Sequence, residues 1–403
     1  MGRSSVFSLE QIYRKQVTQT WSKIPEVFRY IKNVGTDFGY TSGGNVGSKV
    51  DRVDYSNDTA TASTKGSLSK AGQGLAATGN VDYGYVGWGW AQPGTGLYDT
   101  NIDRIDYSND TATATPKGPL SGPTKYKRSA TGNQSYGYFA AGGPGTFTAV
   151  FRVDYSNDTA TAPAVGSLPD GEHGTAATGN ESFGYIGGLW PNKSTVSRID
   201  YSNDSATASP KGPLSQGRNE HGATGNASFG YFGGGANPSP KLSTVDRIDY
   251  SNDTATAPAK GPLDRSVDRV AATGNSSSGY WSGGRSPGDS SAISRVDYSS
   301  DTSTASPKGN LSGVQSWHAS TSSRINGFPT STPATRTETK IGNTSPFGYY
   351  MGGYAGGPDN VTTLDRVDFS NDTATASVRG PLPYTTSESS AVSSQSHGYV
   401  SGG

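Results

Sequence analysis

The sequence predicts an all-β fold of the propeller type, with seven four-stranded blades and a short N-terminal helical arm. Three observations predict it. A phrase of the kind Arg-Ile-Asp-Tyr-Ser-Asn-Asp-Thr-Ala-Thr-Ala recurs seven times, its Asp-Tyr-Ser step starting at Asp54, Asp106, Asp154, Asp200, Asp249, Asp297 and Asp368, where Phe369 replaces the Tyr. A spacing near 48 residues matches one propeller blade. Each copy alternates in character with period two, the signature of a strand. The composition is turn-rich, with 56 Gly and 23 Pro, yet 23 Tyr and 12 Phe recur at fixed places; disordered tracts are poor in aromatics.

The first 37 residues have no place in the repeat. Ser8 is positioned to cap a helix with Glu10 in its first turn and Leu9, Ile12, Tyr13, Val17 and Trp21 at helical spacing; Pro25 ends it. Such an element is too short to form a domain alone; it reads either as a segment packed under the propeller or as an anchor that docks the propeller on a larger assembly. Residues 38–403 carry the array. In one unit, Val245 to Tyr250 is a strand, Ser251-Asn252-Asp253 a turn whose side chains cap their own backbone, and Thr254 to Ala257 the return strand. Ala271-Ala272-Thr273-Gly274-Asn275 follows as a short strand of small residues, fit for the crowded axis, and Gly279-Tyr280-Trp281-Ser282-Gly283-Gly284 completes the unit. Seven Asp-Tyr-Ser hairpins meet eight Gly-Tyr strands. The expectation is that residues 390–403 complete the blade begun at Val50, leaving Gly39–Gly44 surplus.

The balance of charge, 33 basic against 33 acidic residues, gives no reason to expect nucleic acid or an anionic membrane as partner. The absence of cysteine excludes disulfides, thiolate metal sites and cysteine nucleophiles. No apolar run has the length of a membrane span. The Gly-Gly runs lack the Lys-Ser/Thr of a phosphate loop and recur in every unit. Glu172-His173-Gly174 and Glu220-His221-Gly222 fall at nearly equivalent places in neighbouring units, but read as surface residues copied by duplication. Asp249 and Asp253 offer oxygens of the kind calcium prefers, and turn capping explains them without metal. No catalytic residue, metal site or cofactor is expected. Arg247 and Asp249, repeated in each unit, suggest a ring of ion pairs between blades.

The order of elements resembles the kelch repeat: Gly233-Gly234, then Ile248-Asp249-Tyr250, Asn252-Asp253 and Gly261-Pro262-Leu263 take the places of its hydrophobic strand, hairpin and Leu-Pro segment. The usual Trp of the return strand is absent. The resemblance calls up copper-radical galactose oxidases, whose Cys–Tyr cross-link this chain cannot make. The array Asp-Tyr-Ser-Asn-Asp-Thr-Ala-Thr-Ala-Ser-Pro-Lys-Gly-Pro-Leu, joined to Gly-Tyr-Phe-Gly-Gly, also resembles structural proteins of tailed phages, especially marine ones. That resemblance implies a virion component, such as a fibre, a tail appendage or a head decoration; the expected protein is non-enzymatic and attached to other virion proteins through its N-terminal segment.

The turns Thr-Gly-Asn and Ser-Asn-Asp share one end of the array and barely change. The stretches after Gly-Gly and after Pro-Leu share the other end and differ in length and content. Trp88, Trp90, Tyr98, Tyr126, Trp190, Trp317 and Tyr354 lie there. Aromatics on loops held by a rigid scaffold suit sugar rings or protein partners, so this end is expected to contact a host-surface glycan or receptor. Two alternatives stand beside it: a capsid or tail decoration without receptor binding, and a polysaccharide hydrolase, hinted at only by Asp170, Glu172 and Glu220. An oligomer is compatible with all three.

Overall fold

The structure, a computed structural model, describes residues 38–45, 47–87, 89–92, 97–122, 128–140, 142, 147–171, 173–237, 239–322, 347–351, 361–368, 375–386, 390–393 and 398–401. The chain divides into two compact units, 1–330 and 331–403. The expected N-terminal helix, with Leu9, Ile12, Tyr13, Val17 and Trp21, lies outside the described residues. The described secondary structure is β-strand joined by single 3-10 turns.

Among its described residues the first unit holds six antiparallel sheets of three or four strands and one two-stranded ribbon, Trp90–Gln92 with Leu97–Tyr98. In the second sheet, Ala76–Gly79, Tyr83–Gly87, Ile102–Asp106 and Thr115–Lys117 pair in that order. Sheets 3 to 6 repeat this order from inner strands Ser129–Gly132, Ala176–Gly179, Gly222–Gly225 and Ala271–Gly274, the fifth with its first three strands alone. Sheet 1 borrows its inner strand: Ala319–Ser322 pairs with Phe38–Ser42, with Thr41 opposite Ser320. The six inner strands touch one another in a closed cycle. The expected count of seven and its closure by residues 390–403 are therefore corrected. Six sheets close the cycle, and Gly39–Ser42 belongs to a central strand of sheet 1.

The packing between sheets explains why the cycle closes at six. Among the described residues the core is divided into six apolar clusters, each between neighbouring sheets, as where Tyr40, Val50 and Leu68 of sheet 1 meet Val86, Ile105 and Ala114 of sheet 2. At every junction the Tyr of the Gly-Tyr strand stacks on the Tyr of the next sheet's Asp-Tyr-Ser turn, for example Tyr85 on Tyr155 with ring centroids 4.5 Å apart. The same Tyr85 donates a hydrogen bond to Asp158 at 2.9 Å. Arg104 reaches that carboxylate at 2.7 Å and Lys117 at 3.1 Å. Going round the cycle, the acceptors are Asp110, Asp158, Asp204, Asp253, Asp301 and finally Asp58 of sheet 1, which receives Tyr280, Arg295 and Lys308 of sheet 6. The sixth sheet thus fills the place a seventh would need.

The expected ion-pair ring exists with a different acceptor. Arg247 pairs with Asp301 of the next sheet, while Asp249 accepts from the backbone N–H and the hydroxyl of Ser251. The first Asp of each turn shapes the turn, and the second joins the sheets. In the second unit, Phe347–Met351, Val361–Asp368 and Ser377–Thr386 form a three-stranded sheet. Ser390–Ser393 pairs with Gly398–Ser401 as a separate hairpin.

Candidate recognition surface at the variable end

The end of the cycle where each inner strand begins is built on two rings of backbone. The residue two positions before the inner strand has a left-handed conformation in five sheets: Gly74, Gly174, Glu220, Arg269 and Trp317, with φ between 55° and 75°. The sixth counterpart, Lys127, is outside the described residues. These residues are hydrogen-bonded in series around the axis. The N–H of Glu220 donates to Gly174, Arg269 to Glu220, Trp317 to Arg269 and Gly74 to Trp317, at 2.9, 2.6, 3.2 and 2.7 Å. The collar demands the left-handed backbone, which glycine adopts freely and other residues at about 1 kcal/mol or more. Three neighbouring sheets nonetheless carry large side chains there.

Those three side chains form one stack. Arg269 lays its guanidinium over the Trp317 ring, 4.5 Å from the centroid, and its Nε donates to Glu220 Oε2 at 3.2 Å. Strained residues held by their surroundings concentrate where a surface is used rather than where it merely folds.

An outer ring is anchored one residue further back. In five sheets the residue five after the Gly-Tyr tyrosine donates its N–H to the carbonyl three positions before the inner strand. The pairs are Asn45 to Ser316, Trp90 to Gln73, Trp190 to His173, Ala236 to Asn219 and Arg285 to Asp268, at 2.8–3.1 Å. Five copies of one backbone position thus display Asn, Trp, Trp, Ala and Arg. Trp190 is 48% exposed and stacks on the His173 ring at 6.0 Å. Trp90 is half-buried, and its strand pairs opposite Tyr98 in a two-stranded ribbon. Arg285 pairs with Asp268 at 2.8 Å.

Of the sequence-predicted aromatics, the structure thus puts Trp90 and Trp190 at equivalent positions of the outer ring and Trp317 on the inner one. Trp88, Tyr126 and Tyr354 lie outside the described residues. Sequence reasoning missed Arg269, Arg285 and Asn45. The signal for Arg269 was legible: Gly74 and Gly174 stand two residues before their small-residue strands, and Glu220, Arg269 and Trp317 replace that glycine. The near-equivalence of the two Glu-His-Gly runs is also corrected, since Gly174 aligns with Glu220, which places His173 against Asn219 and leaves His221 opposite Thr175.

Below the collar the chemistry is muted. Burial holds the His318 imidazole down to about 4, and drives His221 well below the ordinary histidine range with Arg218 adding to the effect. Burial likewise lowers the Arg128 guanidinium to about 10. The space along the axis amounts to about 140 Å³ and that beside the collar to about 80 Å³. Pockets that engulf an organic ligand run to roughly 300 Å³ and more. The two carboxylates described from the hydrolase reading are each engaged by a cation: Asp170 by Lys193 at 3.7 Å and Glu220 by Arg269. Glu172 lies outside the described residues. The arrangement suits contact with a large ligand lying across the end of the cycle, through flat aromatic faces and paired charges. No protein-family model matches the chain, and no curated protein matches it.

Proposed function

We propose that residues 38–322 form a six-bladed β-propeller whose variable end binds a large ligand, a host-surface glycan or a protein receptor, without enzymatic activity. The observation that carries this reading is the pair of concentric rings: one repeated backbone geometry presents Trp190, Trp90, Trp317, Arg269 and Arg285 in place of the glycine, alanine or asparagine found elsewhere at the same positions. Scaffold positions that keep their hydrogen bonds and vary their side chains are what a recognition surface requires. The half-exposed Trp190, with Asn192, Lys193 and Asp170 close in sequence or space, combines an apolar plate with polar neighbours, which suits a sugar ring. The wording of the repeat array favours a tailed-phage virion as the setting, in a tail fibre or appendage attached through residues 1–37.

The test is binding of the purified chain to host cells and to a glycan array. Trp190→Ala and Trp317→Ala are expected to weaken binding by about tenfold or more each while leaving the melting temperature within a few degrees. Unchanged binding in both variants would overturn the assignment. A decoration role rests on a different observation, the near-identical Ser-Asn-Asp turns at the opposite end, and predicts binding to virion proteins that neither substitution affects.

A further inference from the structure

The seventh repeat keeps the joining apparatus of the other six. Arg366 lies over Phe347 at 3.9 Å from the ring centroid. The ring arginines adopt the same pose, Arg52 over Phe38 at 4.1 Å and Arg104 over Tyr83 at 4.2 Å, and from it they reach the aspartate of the next sheet. The register is the same too: Tyr349 pairs opposite Arg366 as Tyr85 does opposite Arg104.

The faces, however, are bare. Tyr349 is 48% exposed and Tyr350 65%, whereas their counterparts Tyr231 and Phe232 are both 0% exposed. Successive strand residues point to opposite faces. In the cycle, Tyr231 packs toward the following sheet and Phe232 toward the preceding one. Tyr349 and Tyr350 thus stand exposed on opposite faces of the seventh sheet. Its inner edge is unpaired as well: among the described residues no strand pairs with the free side of Phe347–Met351, where an inner strand covers the counterpart in all six sheets of the cycle. Among the described residues markedly exposed large hydrophobics are few, and Tyr349 and Tyr350 are two of the five.

We infer that the sheet of Phe347–Met351, Val361–Asp368 and Ser377–Thr386 is a self-association surface whose occupant is the same sheet of a second copy of this chain. The two stack head to tail as consecutive sheets stack within the cycle. The chain already makes this face-to-face junction six times, so the complementarity is internal to its own repeat. The sequence repeats the matching acceptor in the same copy, since Asp372 stands where Asp58 and Asp301 stand in theirs. Head-to-tail contacts leave one face open at each end, so assemblies beyond the dimer follow from the same geometry.

The test is sedimentation of the full chain across a concentration series, for the wild type, Tyr350→Ser, Arg366→Glu and Arg366→Lys. The wild type is expected to associate. Tyr350→Ser and Arg366→Glu are expected to raise the dissociation constant by more than about tenfold, with Arg366→Lys falling between. Circular dichroism and the melting profile check that each variant is folded, and Tyr350→Ser, at an exposed position, serves if Arg366→Glu is not. A wild type that stays monomeric at all concentrations overturns the inference, as does association that both variants leave unchanged.

Discussion

Three residues at the collar are the sharpest departure from the repeat. Glu220, Arg269 and Trp317 occupy a left-handed backbone that Gly74 and Gly174 hold without strain. Replacing each of the three by glycine removes about 1 kcal/mol of backbone strain and also removes the stack, so the net change in melting temperature should be small. The converse substitution, Gly174→Ala, is expected to lower stability by about 1 kcal/mol, because the new Cβ also meets the Asn219 side chain at 3.2 Å. A thermal denaturation series over these four variants checks both signs. Such a pattern was partly readable beforehand. The aromatic Trp317 drew attention, whereas Arg269 did not, because a lone arginine in a variable stretch reads as surface until its backbone conformation is known. In the sequence Trp90 and Trp190 stand as separate loop aromatics; the hydrogen bonds to Gln73 and His173 make them one position.

The element that holds the sheets together is the acceptor aspartate with its three donors. Burial alone would push the Asp158 carboxyl up, yet Lys117, Tyr85 and Arg104 outweigh it and hold the group below the ordinary carboxylate range. Asp158→Ala strands a buried tyrosine hydroxyl and two cations, at a cost of about 3 kcal/mol. One junction differs: Val165 stands where Lys117 and Lys211 stand, so among the described residues the side chains that reach Asp204 are those of Tyr138 and Arg152. Val165→Lys should restore the missing pair and add about 0.5 kcal/mol, read as a small rise in melting temperature that salt diminishes. The Arg-Ile-Asp-Tyr-Ser-Asn-Asp phrase foretold the strand, the turn and an ion-pair ring. It could not name the acceptor, because the partner lies a full repeat away in sequence, as Arg247 to Asp301 shows.

At the scale of the whole molecule the first unit should be acid-labile. His318 is buried neutral with its imidazole lowered to about 4, so the unfolded chain takes up the proton first. Its contribution is complete above pH 6.5 and falls as the pH drops toward 4, by about 3 kcal/mol. The lowered carboxyls of Asp58, Asp158 and Asp253 add a further loss below about pH 4. His318→Gln should flatten the fall of melting temperature between pH 6.5 and 4 and leave the steeper loss below it. Two sequence features mark the seventh repeat as the odd one: the 71-residue gap before Asp368 and Phe369 in place of the stacking tyrosine. Counting phrases gave seven blades; counting which tyrosines have a partner gives six. Because the chain has no cysteine, the closure can be tested with engineered disulfides. The Thr41 and Ser320 hydroxyls lie 3.3 Å apart across the closing strand pair. The pair Thr41→Cys with Ser320→Cys is expected to oxidise to an intramolecular disulfide in the folded chain, identified by peptide mass, and Thr41→Cys with Ala391→Cys is not. Cross-linking of the second pair in place of the first would contradict a cycle of six.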